Sequence, residues 1–273
     1  MRNLLSAHLF RLGRSRLFLG CLLVMSSFGA LLAFNYYEMS QTEPIALDGA
    51  FFSYPIPACI AAAVFVPLFF GTEHSGHAIR NKVAAGYSRP LIYAANLLAG
   101  VSAAGLFCAA YLAAVLAVGV PLVGPIAMSW EQAALLLLGS LAAVAAVCAL
   151  LTLVAANCER TSVSAAACVL GVFLLLFASI YIRSRLLAPE YLNGSWNAVG
   201  EYVPGLPTPN PQYLGGPQRT VFEVLNVFLP TCQIVQYASQ QGQDAGWMAL
   251  WALAVAALST AAGIALFRRK NLR

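Results

Sequence analysis

The sequence predicts an all-α integral membrane protein with six transmembrane helices, and three observations carry that prediction. The composition is 60% apolar and only 9% charged, where a soluble domain carries about 25% charged residues. The charges fall between long uncharged windows. The basic and acidic residues are also sorted onto alternate sides of those windows. A mean hydropathy of +0.77 describes a surface made for lipid, and basic residues grouped beside apolar runs are membrane flanks rather than a nucleic-acid footprint.

The windows set the span count. Arg16 to Glu38 encloses 21 uncharged residues, Asp48 to Glu73 encloses 24, and Arg89 to Glu131 encloses 41. Glu131 to Glu159 encloses 27, Arg160 to Arg183 encloses 22, and Asp244 to Arg268 encloses 23. A helix needs about 20 apolar residues to cross about 30 Å of hydrocarbon, so each window holds one span. Pro121 and Pro125 interrupt the longest window, and its span should end near Val120.

Orientation follows from the basic residues. Arg2, Arg11, Arg14 and Arg16 precede the first span, and Arg80, Lys82 and Arg89 separate the second from the third. Arg160 separates the fourth from the fifth, and Arg268, Arg269, Lys270 and Arg273 follow the sixth. These are 12 of the 15 basic residues, while 8 of the 10 acidic residues fall on the other side. Positive charge marks the cytoplasmic face, so both termini are expected in the cytoplasm. The first apolar run follows Arg16, is long enough to span and has no small-residue cleavage pattern after it. It is therefore read as a span and not a signal peptide.

The expected organisation is one membrane domain over 1–273. Residues 1–16 form an N-terminal interfacial amphipathic helix with Met1, Leu4, Leu5, Leu9 and Leu12 at helical spacing. Spans one to five occupy 17–182, an external loop runs from 183 to 246, span six covers 247–267, and 268–273 is a cytoplasmic tail. In the first cytoplasmic loop a short helix is expected from about His77 to Ala85, stopped by Gly86. Ser88 then caps the next span, with Pro90 in its first turn. That short helix should show Ile79 and Val83 on one face, with Arg80 and Lys82 turned away. The long external loop is rich in Pro and Gly from Tyr202 to Gly216. Its 220–240 segment is too polar and too short to cross, with Glu223, Asn226 and Pro230 interrupting it, so it reads as a re-entrant helical hairpin before the last span.

Several chemistries find little support. Seven cysteines form no C-x-x-C pair, and five lie in apolar runs, the usual place of small apolar filler. His74 and His77 have the i, i+3 spacing of metal ligands, but only Glu73 stands near them and it is poorly aimed. Ser75 beside these histidines lacks the G-x-S-x-G setting and the aspartate of a hydrolase. No span carries a charge near its centre, which argues against a proton- or sodium-driven pathway. Gly100 with Ala104, and Gly139 with Ala143, permit close helix packing.

Two loops carry a resemblance. Gly71 and Glu73, then Ile79-Arg80-Asn81-Lys82, then Gly86, Arg89, Ile92 and Tyr93, match the first cytoplasmic loop of type-2 ABC transporter permeases. The family favours Gly where this chain has His77 and Thr where it has Ala78. Asn210-Pro211-x-Tyr213, a following glycine, and Phe228-Leu229-Pro230-Thr231-x-Gln233 resemble the segment before that family's last span, with Cys232 in place of a common glycine. The resemblance implies a non-enzymatic transport subunit of a bacterial exporter in the cell membrane. Such a subunit works as a dimer with an identical or homologous permease and binds two copies of an ABC ATPase. Ile79, Arg80, Asn81, Lys82 and Val83 would then form the ATPase-coupling helix, next to Gly71 and Glu73 at the cytoplasmic end of the second span. Asn210, Tyr213, Phe228, Pro230 and Gln233 would belong to the external gate. ATP and Mg would sit on the partner, because this sequence has no G-x-x-x-x-G-K-[S/T] loop. The other readings are a non-transporting membrane scaffold or sensor and a membrane-embedded hydrolase.

Overall fold

A computed structural model describes residues 2–75, 78–158, 160–196, 202–240 and 245–269. Six helices in it are long and apolar enough to cross a membrane, and the chain is a multi-pass membrane protein. In chain order the elements are α1 (Arg2–Gly13), α2 (Arg16–Ser40), α3 (Asp48–Phe52), α4 (Pro55–Ser75), α5 (Ala78–Ala84) and α6 (Arg89–Leu122). They continue with α7 (Trp130–Asn157), α8 (Thr161–Leu187), β1 (Tyr191–Trp196), β2 (Tyr202–Pro209), α9 (Gly216–Phe228), α10 (Pro230–Ala238) and α11 (Ala245–Arg269). The spans are α2, α3 with α4, α6, α7, α8 and α11.

Helices α4 and α7 are the most buried spans, and α2, α8 and α11 lie outermost. The outer helices present Leu19, Leu23, Leu31, Leu170, Leu174, Phe177, Leu250, Leu253 and Leu258 outward. An apolar surface of that extent is stable against lipid or against another apolar helix, not against water. Inside, Phe18, Phe65 and Phe107 from α2, α4 and α6 meet with ring centroids 5.5 to 5.9 Å apart. Edge and tilted ring contacts of this kind add specificity to burial.

Local chemistry explains the helix ends. Ser15 is extended (φ −77°, ψ 119°), and its hydroxyl accepts from the Phe18 N–H at 3.3 Å, turning the chain sharply from α1 into α2. Ser88 is extended at the start of α6 and Pro90 sits in its first turn, as the sequence predicts, but the Ser88 side chain makes no capping hydrogen bond. The 41-residue window holds one helix. It runs through Pro121 to Leu122, slightly beyond the expected end. Helix α8 continues past Arg183 and Arg185 to Leu187, because a charge at the end of a span can extend its side chain to the interface without ending the helix.

One departure from the all-α expectation occurs between α8 and α11. The Pro- and Gly-rich stretch contains an antiparallel hairpin, with Tyr191 opposite Pro209 and Trp196 opposite Tyr202. Its prolines mask the strand pattern in the sequence, yet proline is tolerated in a two-stranded ribbon whose edges are open. The 220–240 segment forms two helices, α9 and α10, broken at Leu229 (φ −75°, ψ 122°) because Pro230 disfavours helical geometry before it. No residue of α9 is buried, whereas α10 is buried from Pro230 to Tyr237 against α4, α7 and α8. At nine residues, about 14 Å long, α10 is too short to cross a bilayer.

Candidate functional site

The bundle has two distinct ends. At the basic end lie α1, α5, the starts of α2, α6 and α8, and the ends of α4, α7 and α11. At the aromatic end lie the β-hairpin, α9, α10 and the exposed Trp130, Trp247 and Trp251. The two motifs singled out in the sequence separate cleanly, the first to the basic end and the second to the aromatic end.

At the basic end, α5 spans Ala78–Ala84 and stops where the sequence predicts. Gly86 is at φ +88°, its N–H donates to the Val83 carbonyl at 3.0 Å, and the Tyr87 N–H donates to the Lys82 carbonyl at 3.1 Å. This is the double closure that a left-handed glycine allows. Ile79 and Val83 share a face, as expected. The partner of that face lies within this chain. Ile79 is only 3% exposed and packs with Ile92, Tyr93, Ala156 and Phe267 of this chain, with Val83 and Tyr87 at the rim. Ile79 therefore seats α5 in a cluster with residues of α6, α7 and α11 and is not open to fill a groove elsewhere. Arg80 and Asn81 face outward.

Lys82 is not turned fully away. Its Nζ lies 3.2 Å from Nε2 of His8 on α1. His8 is buried with Leu4 and Leu12, while Leu9, expected on that face, is exposed. Arg11 completes the docking of α1, with Nη2 donating to the Phe69 carbonyl at 3.2 Å and the guanidinium 3.9 Å over the Phe69 ring. Gly71 is buried where α4 meets α8, and a Cβ there would overlap the Thr161 side chain. Arg89 Nη1 donates to the Arg268 carbonyl at 2.9 Å, tying the start of α6 to the end of α11. The Glu73, His74 and Ser75 side chains and all of His77 lie outside the described residues. Among the described residues no group of three or more His, Cys, Asp or Glu could hold a metal.

At the aromatic end, Asn210 closes the base of the hairpin. Its Nδ2 donates to the Pro189 carbonyl at 2.8 Å, its Oδ1 accepts from the Gln212 N–H at 2.9 Å, and its N–H donates to the Glu190 carbonyl at 2.9 Å. Tyr213 follows, with the Arg219 guanidinium 5.7 Å over its ring. Phe228 meets Trp251 edge to face at 5.8 Å. Pro230 opens α10, and Gln233 is fully buried, donating through Nε2 to the Val227 carbonyl at 2.6 Å. Gln236, which the sequence reading did not single out, donates to the Asn226 carbonyl at 2.7 Å. Two glutamines of α10 thus satisfy carbonyls at the end of α9, groups that a helix end leaves unpaired.

Further polar contacts fix α10 in place. Ser179 of α8 donates to Thr231 at 2.8 Å and accepts from the Cys232 thiol at 3.2 Å. Burial pushes the Cys232 thiol up, and Ser179 and Arg183 oppose that shift. The Tyr237 hydroxyl donates to the Ala245 carbonyl at 2.8 Å, and a Cβ on Gly139 of α7 would meet the Tyr237 ring at 2.6 Å. Asp48 was read only as a window boundary, yet it is 5% exposed. Its two oxygens accept from the Ala127 and Met128 N–H groups at 3.0 and 2.9 Å, holding the α6–α7 loop.

The chain matches no protein-family model and no curated protein.

Proposed function

We propose that this chain is the membrane-spanning permease subunit of an ATP-driven exporter of the type-2 ABC class, with its basic end in the cytoplasm of a bacterial cell. In this reading it pairs with a second permease, identical or homologous, and couples to two ABC ATPase subunits that bind ATP and Mg. The observation that carries the reading is the mounting of α5. A seven-residue helix, bounded by a left-handed glycine, is seated through Ile79 in an apolar cluster drawn from several spans and turns Arg80 and Asn81 outward. A helix fixed to several spans transmits a partner's motion to all of them at once, whereas a free loop would absorb it. The assigned roles follow from placement: Arg80 and Asn81 contact the ATPase, while Ile79, Val83 and Lys82 hold the helix. Gly71 and Glu73 mark the end of the second span beside it.

The aromatic end is the external face in this reading. Helices α9 and α10 form a re-entrant pair, and Asn210, Tyr213, Phe228, Pro230 and Gln233 belong to the outer gate.

The test is co-expression with an ABC ATPase encoded beside this chain, then purification and reconstitution into liposomes. The expected result is a complex of two permease and two ATPase subunits in which Arg80→Glu weakens ATPase retention in a salt-dependent way. A chain that retains no such ATPase, or retains it equally well with Arg80→Glu and Asn81→Ala combined, overturns the reading. Sidedness is checked by thiol probes placed singly at positions 81 and 213, which should label from opposite sides.

A further inference from the structure

The outer face of α1 takes no part in the packing described above. His8, Leu4 and Leu12 point inward, leaving Leu9 42% and Phe10 63% exposed. The Arg14 guanidinium lies 4.3 Å over the Phe10 ring, so an apolar surface and a cation are presented together. After the corner at Ser15, Arg16 is exposed at the first position of α2. Leu19 and Leu23 follow it at helical spacing and are also exposed. Arg16 therefore stands at the end of a lipid-facing stripe, at the level where a headgroup lies. No acidic residue occurs between Met1 and Tyr37, so no carboxylate of this segment pairs with a choline or ethanolamine ammonium.

We propose that this face, Phe10 with Arg14 and Arg16, is a docking surface for anionic phospholipid headgroups. Phe10 enters the boundary between headgroups and acyl chains, and the two guanidinium groups bind phosphate and the net negative charge of the leaflet. Leu19 and Leu23 continue the apolar contact one and two turns deeper. Because α1 reaches α5 through His8 and Lys82, the lipid under α1 also bears on the position of α5. The proposal depends on the spans and not on the transport reading.

The test uses the full chain in neutral-detergent mixed micelles, titrated with dioleoylphosphatidylglycerol or dioleoylphosphatidylcholine, with retained lipid counted by native mass spectrometry. The wild type should retain phosphatidylglycerol in preference to phosphatidylcholine. An arginine near an anionic surface contributes about 5-fold, so Arg14→Gln with Arg16→Gln should lower that preference roughly 30-fold. Phosphatidylcholine retention should not change. Phe10→Ser should lower retention of both lipids. Glycerol 3-phosphate at the same concentration should not displace the lipid. Equal retention of the two lipids by the wild type overturns the proposal, as does an unchanged preference in the double variant. An equal loss in Arg268→Gln with Arg269→Gln also overturns it, because the preference would then belong to net charge. So does an intact preference in a double variant that instead sheds a co-purifying soluble protein.

Discussion

The basic and aromatic ends are held together by different physics. At the basic end, α5 rests on an apolar cluster of Ile79, Ile92, Tyr93, Ala156 and Phe267, and its cations face outward or sideways. At the aromatic end the polar groups face inward. Asp48 holds two backbone N–H groups, Tyr54 bonds Ser140, Tyr111 donates to the Ala50 carbonyl at 2.9 Å, and Gln233 and Gln236 hold carbonyls of α9. The reason lies in the breaks. Chain interruptions at Ser53–Tyr54 and at Leu229 occur beside buried helices, where water does not satisfy the freed backbone groups. Side chains do so instead. The basic end thus combines an apolar mounting for α5 with ties from Arg11, Lys82 and Arg89, whereas the aromatic end relies on buried hydrogen bonds at its chain breaks.

The contrast breaks most easily at Asp48. Asp48→Ala leaves the Ala127 and Met128 N–H groups without their acceptor and should destabilise by about 3 kcal/mol. Asp48→Asn keeps one acceptor and should recover part of the loss, read as the shift in thermal unfolding in detergent. A variant as stable as wild type would mean that this end does not depend on its inward polar groups.

Next in size is Gly139→Ala, which forces a methyl against the Tyr237 ring. Overpacking of this kind costs about 1–3 kcal/mol. Combining it with Tyr237→Leu should recover part of that cost, and a double-mutant cycle measures the coupling. Smaller again are Gln233→Ala and Gln236→Ala, at about 1 kcal/mol each. Both should raise hydrogen exchange through α9 while leaving α2 unchanged.

The sharpest contrast lies at the basic end, where the effects are local to α5. Ile79→Ala should raise proteolysis and exchange across residues 78–84 because it removes the anchor of α5. Arg80→Glu should leave the unfolding midpoint unaltered, since its side chain faces water. Equal effects of the two would erase the distinction between an inward anchor and an outward face.

Much of this was legible in the sequence. Charges at the edges of apolar windows set the six spans, Gly86 set the end of α5, and Pro230 set the break between α9 and α10. Each of these is a local signal, acting within one helical turn. The missed features join distant residues. Asp48 looked like a boundary because its partners, Ala127 and Met128, lie about 80 residues away. Spacing placed Ile79 and Val83 on one face but carried no information on which body covers it. The same holds for Lys82 beside His8, and for Leu9, which has the right spacing but the wrong side. The strands of the hairpin were hidden because Pro204, Pro207 and Pro209 break the alternation that marks a strand.

The burial of α10 bears on how the protein is made. A short helix with Thr231, Gln233 and Gln236 among its residues has no reason to leave the insertion channel sideways into lipid. Its seat is formed by α4, α7 and α8, which precede it in the chain, and is closed by α11 through the Tyr237–Ala245 bond. Synthesis therefore delivers α10 before the last wall of its seat exists. The seat of α10 is therefore complete only once α11 has been made.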